Sequence, residues 1–363
     1  MNTNLSLLDL TGQMLIAGFD GTNINSDLEE LIVDRRVGGL ILFERNFENL
    51  DQLIRLINEL QLLAMSCPAS VPLFVSVDQE GGRVSRLKAP FSEFPQPGCL
   101  GKARSELLAR RFGLALGQEM DSVGINMVYA PVLDVNTNPG NPIIGTRALS
   151  DDPEWTARLG KAVIDGIRES GVLPVGKHFP GHGDTDRDSH LELPYVNRDT
   201  NSLEKIELKP FIEAVNNGLE VIMTAHVIYP AWDNELPATF SPHILKNILR
   251  KKLGFGGLII TDDLEMKAVE KYISFAAIPR LGLAAGVDLY LICHYREKIL
   301  ALQDQMIRDI EEGNIDKEPV ELSVQRIIDV KKRIAINPRN KQNLTELVQS
   351  HLNLIEEMNS YPS

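Results

Sequence analysis

Eight apolar runs of about six residues, rich in β-branched side chains, recur through the first 295 positions of the chain. They cover residues 14–19, 38–43, 73–78, 126–131, 173–178, 220–226, 257–262 and 287–293. Most carry apolar residues on both alternations, as strands covered on both faces do. Between them lie helical patterns at 50–65, 107–123, 154–170, 204–217, 243–252 and 269–286. Several stop at a glycine just ahead of the next strand (Gly124, Gly171, Gly218, Gly256 and Gly286), as helix C-caps tend to. Eight strands alternating with helices predict an α/β chain closed into a (β/α)8 barrel of the TIM type. An open doubly wound sheet is the competing architecture. The absence of Gly-x-Gly-x-x-Gly after any strand weakens it.

With no linker rich in Pro, Gly or Ser, the chain reads as one barrel over residues 1–336. Residues 320–335 supply its last helix, and 337–363 form a C-terminal helical extension with a helix at 344–358. A net charge of −13 argues against nucleic acid or an anionic membrane surface as partner. No apolar run approaches the ~20 residues of a membrane span, and the N-terminus lacks a basic leader. Cys67, Cys99 and Cys293 are widely spaced and form no C-x-x-C pair, which suits a reducing compartment. The expectation is a cytoplasmic monomer with a small-molecule partner.

Almost every strand runs into a polar cluster at its C-terminal end, where such barrels place their chemistry. Strand two ends in Glu44-Arg45-Asn46, and strand three in Asp78-Gln79-Glu80-Gly81-Gly82-Arg83 with Arg86 close behind. Asp134 and Arg147 come after strand four; Lys177 and His178 close strand five, His226 strand six, and Asp262-Asp263 strand seven. The segment 177–190 alone holds three of the chain's seven histidines: His178, His182 and His190. Each cluster taken singly reads equally well as a structural ion pair, but in a barrel all converge on one mouth. A mouth lined by carboxylates, arginines and a lysine suits a ligand with many hydroxyls, because each hydroxyl donates to a carboxylate and accepts from a cation.

A carboxylate fixed at a strand end can attack an anomeric carbon and hold a covalent glycosyl intermediate. Asp262 and Asp263 both qualify, and strand alternation points them in opposite directions without choosing between them. Asp188-Ser189-His190 offers an acid–x–base pair in which Asp188 fixes the His190 imidazole for proton transfer near neutrality. Glu80, Glu192 and Glu265 are the conventional carboxylic alternatives, Glu265 reading better as a charge at a helix N-terminus. Asp184, Asp186, Asp188, His182 and His190 resemble metal ligands, but His-x-His and His-Glu-x-x-His spacings are absent. Neither a metal nor a cofactor is expected. A non-catalytic sugar-binding barrel is a further reading, and a nucleophile facing a mobile acid speaks against it.

Taken in order, several motifs resemble glycoside hydrolase family 3, and within it the single-domain bacterial β-N-acetylglucosaminidases of peptidoglycan recycling. They are residues 38–43, 77–87 (Val-Asp-Gln-Glu-Gly-Gly-Arg-Val-Ser-Arg-Leu), 144–147, 177–183 (Lys-His-Phe-Pro-Gly-His-Gly), 188–190, 223–226 and 261–266 (Thr-Asp-Asp-Leu-Glu-Met). The resemblance runs from about Leu8 to Ile334. It implies Asp262 as nucleophile, His190 as general acid/base held by Asp188, and Asp78, Arg86, Arg147, Lys177 and His178 as ligands of an N-acetylglucosamine unit. The implied reaction removes that sugar from N-acetylglucosaminyl-anhydro-muropeptides with retention and without a cofactor. Phosphorolysis by the same residues is the variant, since a neutral imidazole does not repel an incoming phosphate as a glutamate would. The second α/β domain of many family 3 enzymes is missing, so the barrel is expected to supply every essential group.

Overall fold

A computed structural model describes residues 5–185, 193–334 and 344–362. Its eight-stranded parallel sheet comprises β1 (Leu15–Gly18), β2 (Gly39–Leu42), β3 (Phe74–Val77), β4 (Met127–Val128), β5 (Leu173–Phe179), β6 (Val221–Thr224), β7 (Leu258–Ile260) and β8 (Tyr290–Ile292). Each falls inside, or within a residue of, a run expected from the sequence. Neighbours pair in chain order from β1 to β7, and β8 pairs with β1. A parallel bridge between Ile260 and Leu289, with the Thr261 N–H donating to the Leu289 carbonyl at 3.0 Å, closes the ring. Every residue of these strands is buried, inward ones in the barrel and outward ones under helices, which explains the apolar residues on both alternations.

The end of the barrel away from the strand C-termini is sealed by polar groups that stitch the last turns together. Lys331, from the helix Lys317–Lys331, buries its ammonium against the Gln13 side chain (2.8 Å) and the Gly38 carbonyl (2.6 Å). The buried Asp288 accepts from Arg250 at 2.6 Å, Arg326 at 2.7 Å and the Ile259 N–H at 2.8 Å. This leaves the opposite mouth for chemistry.

Two expected helices are broken. The pattern at 204–217 is two helices, Thr200–Lys205 and Leu208–Asn216, because Pro210 cannot bond back to the Ile206 carbonyl. The break turns Glu207 into the interior. The pattern at 269–286 is Lys267–Glu270, a 3-10 turn at Phe275–Ala277, and Ile278–Ala285, the last with Pro279 in its first turn. Among the expected cap glycines, Gly124, Gly171, Gly218 and Gly286 have positive φ, but Gly254 takes that role in place of Gly256. The helix Leu344–Asn359 docks on the flank, where His351 Nδ1 lies 2.8 Å from the Glu119 carboxylate. Among the described residues no helix is long and apolar enough to cross a membrane.

Candidate active site

A cavity of about 210 Å3 opens at the C-terminal ends of the strands. Asp78, Arg86, Arg147, Lys177, His178 and Asp262 all line it. These are the expected sugar ligands together with the expected nucleophile. Asp188 and His190 lie outside the described residues, as do Asp186 and Glu192.

One side of the cavity, built from β3 to β5, is a network of buried charges. The Lys177 ammonium lies 2.8 Å from the Asp78 carboxylate and 2.6 Å from that of Glu80. Arg147 grips Glu80 with two parallel hydrogen bonds of 2.8 Å, a geometry that fixes direction as well as charge. Burial alone would raise the pKa of Glu80, but Arg147 and Lys177 outweigh it and hold the carboxyl far below the ordinary range. Glu80 therefore stays ionised and cannot serve as a proton donor, which removes it as a general acid. Its place is behind the ligand-facing Asp78, Lys177 and Arg147. The buried Nε of Arg86 has no hydrogen-bond partner among the described residues, and the residue lines the cavity.

Asp134 organises the next stretch. Its carboxylate accepts from His178 Nδ1 at 2.7 Å, from the His178 N–H at 3.1 Å and from the His182 N–H at 2.7 Å. With Nδ1 bound to the carboxylate, the ring of His178 is fixed at the cavity wall. Asn141 then ties the loop after β4 to the loop after β5. Its Nδ2 donates to the carbonyls of His182 (2.9 Å) and Gly183 (3.1 Å), and its Oδ1 accepts from the N–H groups of Ile143 and Ile144. The two loops approach so closely that a Cβ on Gly183 would sit 1.7 Å from the Val135 carbonyl oxygen, so only glycine fits there. Thr137 and Arg198 both donate to Asp184, at 3.0 and 2.6 Å. The segment leading to Asp188 is thereby anchored as far as Thr185.

Across the cavity stand Asp262 and Asp263, and their surroundings separate them. Burial pushes the Asp262 pKa up. The imidazoles of His178 and His226, the Asp263 N–H and the Lys177 ammonium outweigh that push and hold it below the ordinary aspartate value. Asp263 is pushed up to about 7 by burial and by the Glu265 carboxylate. The first is held as an anion and the second takes up and loses its proton around neutral pH, a split that assigns different capacities to two adjacent carboxyls. His226 supports the turn from behind, its Nε2 donating to the Asp263 carbonyl at 3.2 Å and its Nδ1 meeting Thr239 at 2.8 Å.

Residues 7–330 match the N-terminal domain of glycosyl hydrolase family 3. The chain belongs to glycosyl hydrolase family 3. It is 35% identical over 335 residues to a β-hexosaminidase A of Pseudoalteromonas piscicida, covering 86% of this chain and 56% of that protein. The chain thus spans little more than half the length of that relative. It is 38% identical over 294 residues to a β-hexosaminidase of Alkalilimnicola ehrlichii, covering 79% of this chain and 82% of that one. The solved structure of a family 3 β-N-acetylglucosaminidase from Paenibacillus sp. str. FPU-7 superposes with a TM-score of 0.91 at 38% identity. It covers 98% of this chain and 69% of that one.

One further group of this family 3 barrel bears on its chemistry. Among the described residues, Asp263, Glu265 and His294 bring metal-ligand atoms within 4.8 Å of one another. The Glu265 carboxylate, however, already accepts the N–H groups of Cys293 (3.1 Å), His294 (2.6 Å) and Tyr295 (3.0 Å). It is a clasp holding the β8 loop at the start of the helix Arg296–Glu311, so the helix it serves is not its own. Sequence reasoning named Asp134 and His226 only as polar residues near strand ends. Their signal was that position, and their partners came only with the fold.

Proposed function

We propose that this family 3 glycoside hydrolase is a retaining exo-β-N-acetylglucosaminidase that removes non-reducing N-acetylglucosamine from peptidoglycan fragments. The observation that carries the reading is an ionised Asp262 fixed across a small cavity from a pre-paired set of hydroxyl ligands. At about 210 Å3 the cavity is small for a ligand site, which suits one sugar ring rather than a chain of them. Asp78, Lys177, Arg147, Arg86 and His178 bind the ring, and Asp262 meets its anomeric carbon. The relatives named β-hexosaminidase and β-N-acetylglucosaminidase support the N-acetylhexosamine choice.

In the first step an Asp262 carboxylate oxygen bonds to the anomeric carbon while the bond to the leaving oxygen breaks, and His190 gives that oxygen its proton. In the second, His190 takes a proton from water, whose oxygen displaces Asp262 and restores the starting configuration. Asp188 holds the His190 imidazole and stabilises its cation. The free thiols Cys67, Cys99 and Cys293 support work in a reducing, cytoplasmic setting. No step uses a metal or cofactor.

A 5-fluoro N-acetylglucosaminyl fluoride, which slows the second step, should trap a covalent adduct on the peptide that contains Asp262, read by mass spectrometry. Asp262→Ala should lose several orders of magnitude in rate. Turnover without any adduct, or substantial activity in Asp262→Ala, would replace this mechanism with one that uses the substrate's own acetamide as nucleophile. Release of N-acetylglucosamine from an anhydro-muropeptide tests the natural substrate, and sugar 1-phosphate formed in phosphate buffer would mark the phosphorolytic variant.

A further inference from the structure

Arg86 lines the cavity, and its place there is set mainly by its backbone. Its guanidinium lies 5.8 Å from the centre of the Phe43 ring, and no described residue bonds its buried Nε. The residue follows a short hairpin of Gln79–Gly81 and Val84–Ser85, strands of three and two residues. A two-stranded ribbon of that size is marginal by itself and leans on its surroundings. Its first strand is tied through Glu80 to Arg147 and Lys177, and its turn through Arg83 to the Ile143 carbonyl. The remaining support runs out to the flank of the barrel.

That support is the returning loop of residues 91–96. The Phe94 carbonyl accepts the Gly82 N–H at 2.8 Å, and a Cβ on Gly81 would sit 2.7 Å from the Pro95 carbonyl oxygen. The loop is held in turn at Ser92, whose N–H donates to Glu119 Oε2 at 2.9 Å. Glu119 belongs to the helix Glu106–Val123, and its side chain is 1% exposed. A carboxylate buried this deeply needs donors on both oxygens. The second donor is His351 of the C-terminal helix Leu344–Asn359, whose Nδ1 meets Glu119 Oε1 at 2.8 Å. An acceptor-only carboxylate requires that nitrogen to carry the proton. The same imidazole reaches the loop directly. Its centre lies 6.2 Å from that of the Phe94 ring, which also packs edge-on against Phe112 at 5.2 Å.

The C-terminal helix gives no residue to the cavity lining. Leu344, Leu354 and Met358 of that helix are buried as well, so its docking does not depend on His351 alone. The imidazole instead completes one carboxylate, and that carboxylate holds one loop against the hairpin.

We infer that His351 is a positioning residue for the sugar, setting the hairpin that carries Arg86 through Glu119 and the 91–96 loop. The inference rests on the reading of Arg86 as a ligand of N-acetylglucosamine, and hydrogen exchange tests it apart from turnover. In the full chain, His351→Ala should speed exchange of the amides at 79–96 about tenfold and leave those of the barrel strands unchanged. His351→Asn, which keeps a donor at the place of Nδ1, should restore the protection. On a chromogenic N-acetyl-β-glucosaminide, His351→Ala should raise KM about tenfold with kcat within about twofold, again restored by asparagine. In an Arg86→Ala background the same change should raise KM less than about twofold, because the effect passes through Arg86. Unchanged exchange at 79–96, a uniform rise across the barrel, or a KM effect that survives in full without Arg86 overturns the positioning role. Wild-type protein inert toward the glucosaminide, with the His351-dependent protection intact, overturns the reaction and leaves the support of the hairpin standing.

Discussion

Replacing Glu80 by Gln removes one negative charge from the centre of the buried network and almost nothing else. The carboxylate takes two hydrogen bonds of 2.8 Å from Arg147 and faces the Lys177 ammonium at 2.6 Å, with its side chain 1% exposed. Breaking a buried ion pair from one side costs about 3–5 kcal/mol, since the partner charge is left buried. Glutamine keeps one acceptor for Arg147, and Asp78 still faces Lys177, so the lower end applies: about 3 kcal/mol. At a urea dependence of roughly 3 kcal/mol per molar, the midpoint falls by about 1 M, read from tryptophan fluorescence. The pH dependence supplies a sharper signature. The folded-state pKa of Glu80 is depressed, so its contribution is complete above the ordinary value of 4.5 and is lost as pH falls below it. The gap between wild type and Glu80→Gln should therefore be constant from pH 5 to 7 and narrow by about 1.4 kcal/mol at one unit below 4.5. An unchanged midpoint at pH 7, or a gap that does not narrow in acid, would refute the electrostatic account of the network.

Because imidazoles and the Lys177 ammonium depress the Asp262 pKa, the acidic limb of kcat/KM should lie below the ordinary aspartate range, and His178→Ala should move it upward; a pH-rate profile decides this, and a limb unmoved by His178→Ala counts against the assignment. Glu207 is the opposite case, buried and pushed up to about 7, so its burial penalty is absent below 4.5, grows between 4.5 and 7, and is complete above. Glu207→Gln should accordingly stabilise the fold at pH 8 by up to about 3 kcal/mol and change nothing at pH 4.5, with thermal melts at both pH values as the check. Gly183→Ala places a methyl on the Val135 carbonyl; it should cut kcat/KM more than about tenfold by displacing the segment that leads to Asp188, and near-normal turnover would show that the close approach is not needed. Activity should persist in strong chelator, since the Glu265 oxygens are already engaged by backbone N–H groups.

Much of this arrangement is written in the sequence, for a physical reason. Strands buried on both faces have no polar alternation to blur their ends, so the level at which Asp78, Lys177, His178 and Asp262 emerge is fixed by where the apolar runs stop. Helices were less legible because period alone cannot see a ring without an N–H. Pro210 and Pro279 sit inside patterns that otherwise read as continuous. The partners of the site residues were illegible for a different reason. Nothing in the order of residues brings Glu80 to Arg147 across 67 positions, or Asn141 to the carbonyl of His182. The choice between Asp262 and Asp263 also depends on which neighbours the folded chain places around each carboxyl.

On the β3–β5 side of the mouth the binding groups are buried and charged, so a ligand hydroxyl missing from its place leaves a desolvated group unpaired, at about 1–3 kcal/mol or more for a charge. Discrimination should therefore be strict for the non-reducing ring. A glycosidase built this way would read the sugar it removes through buried charge.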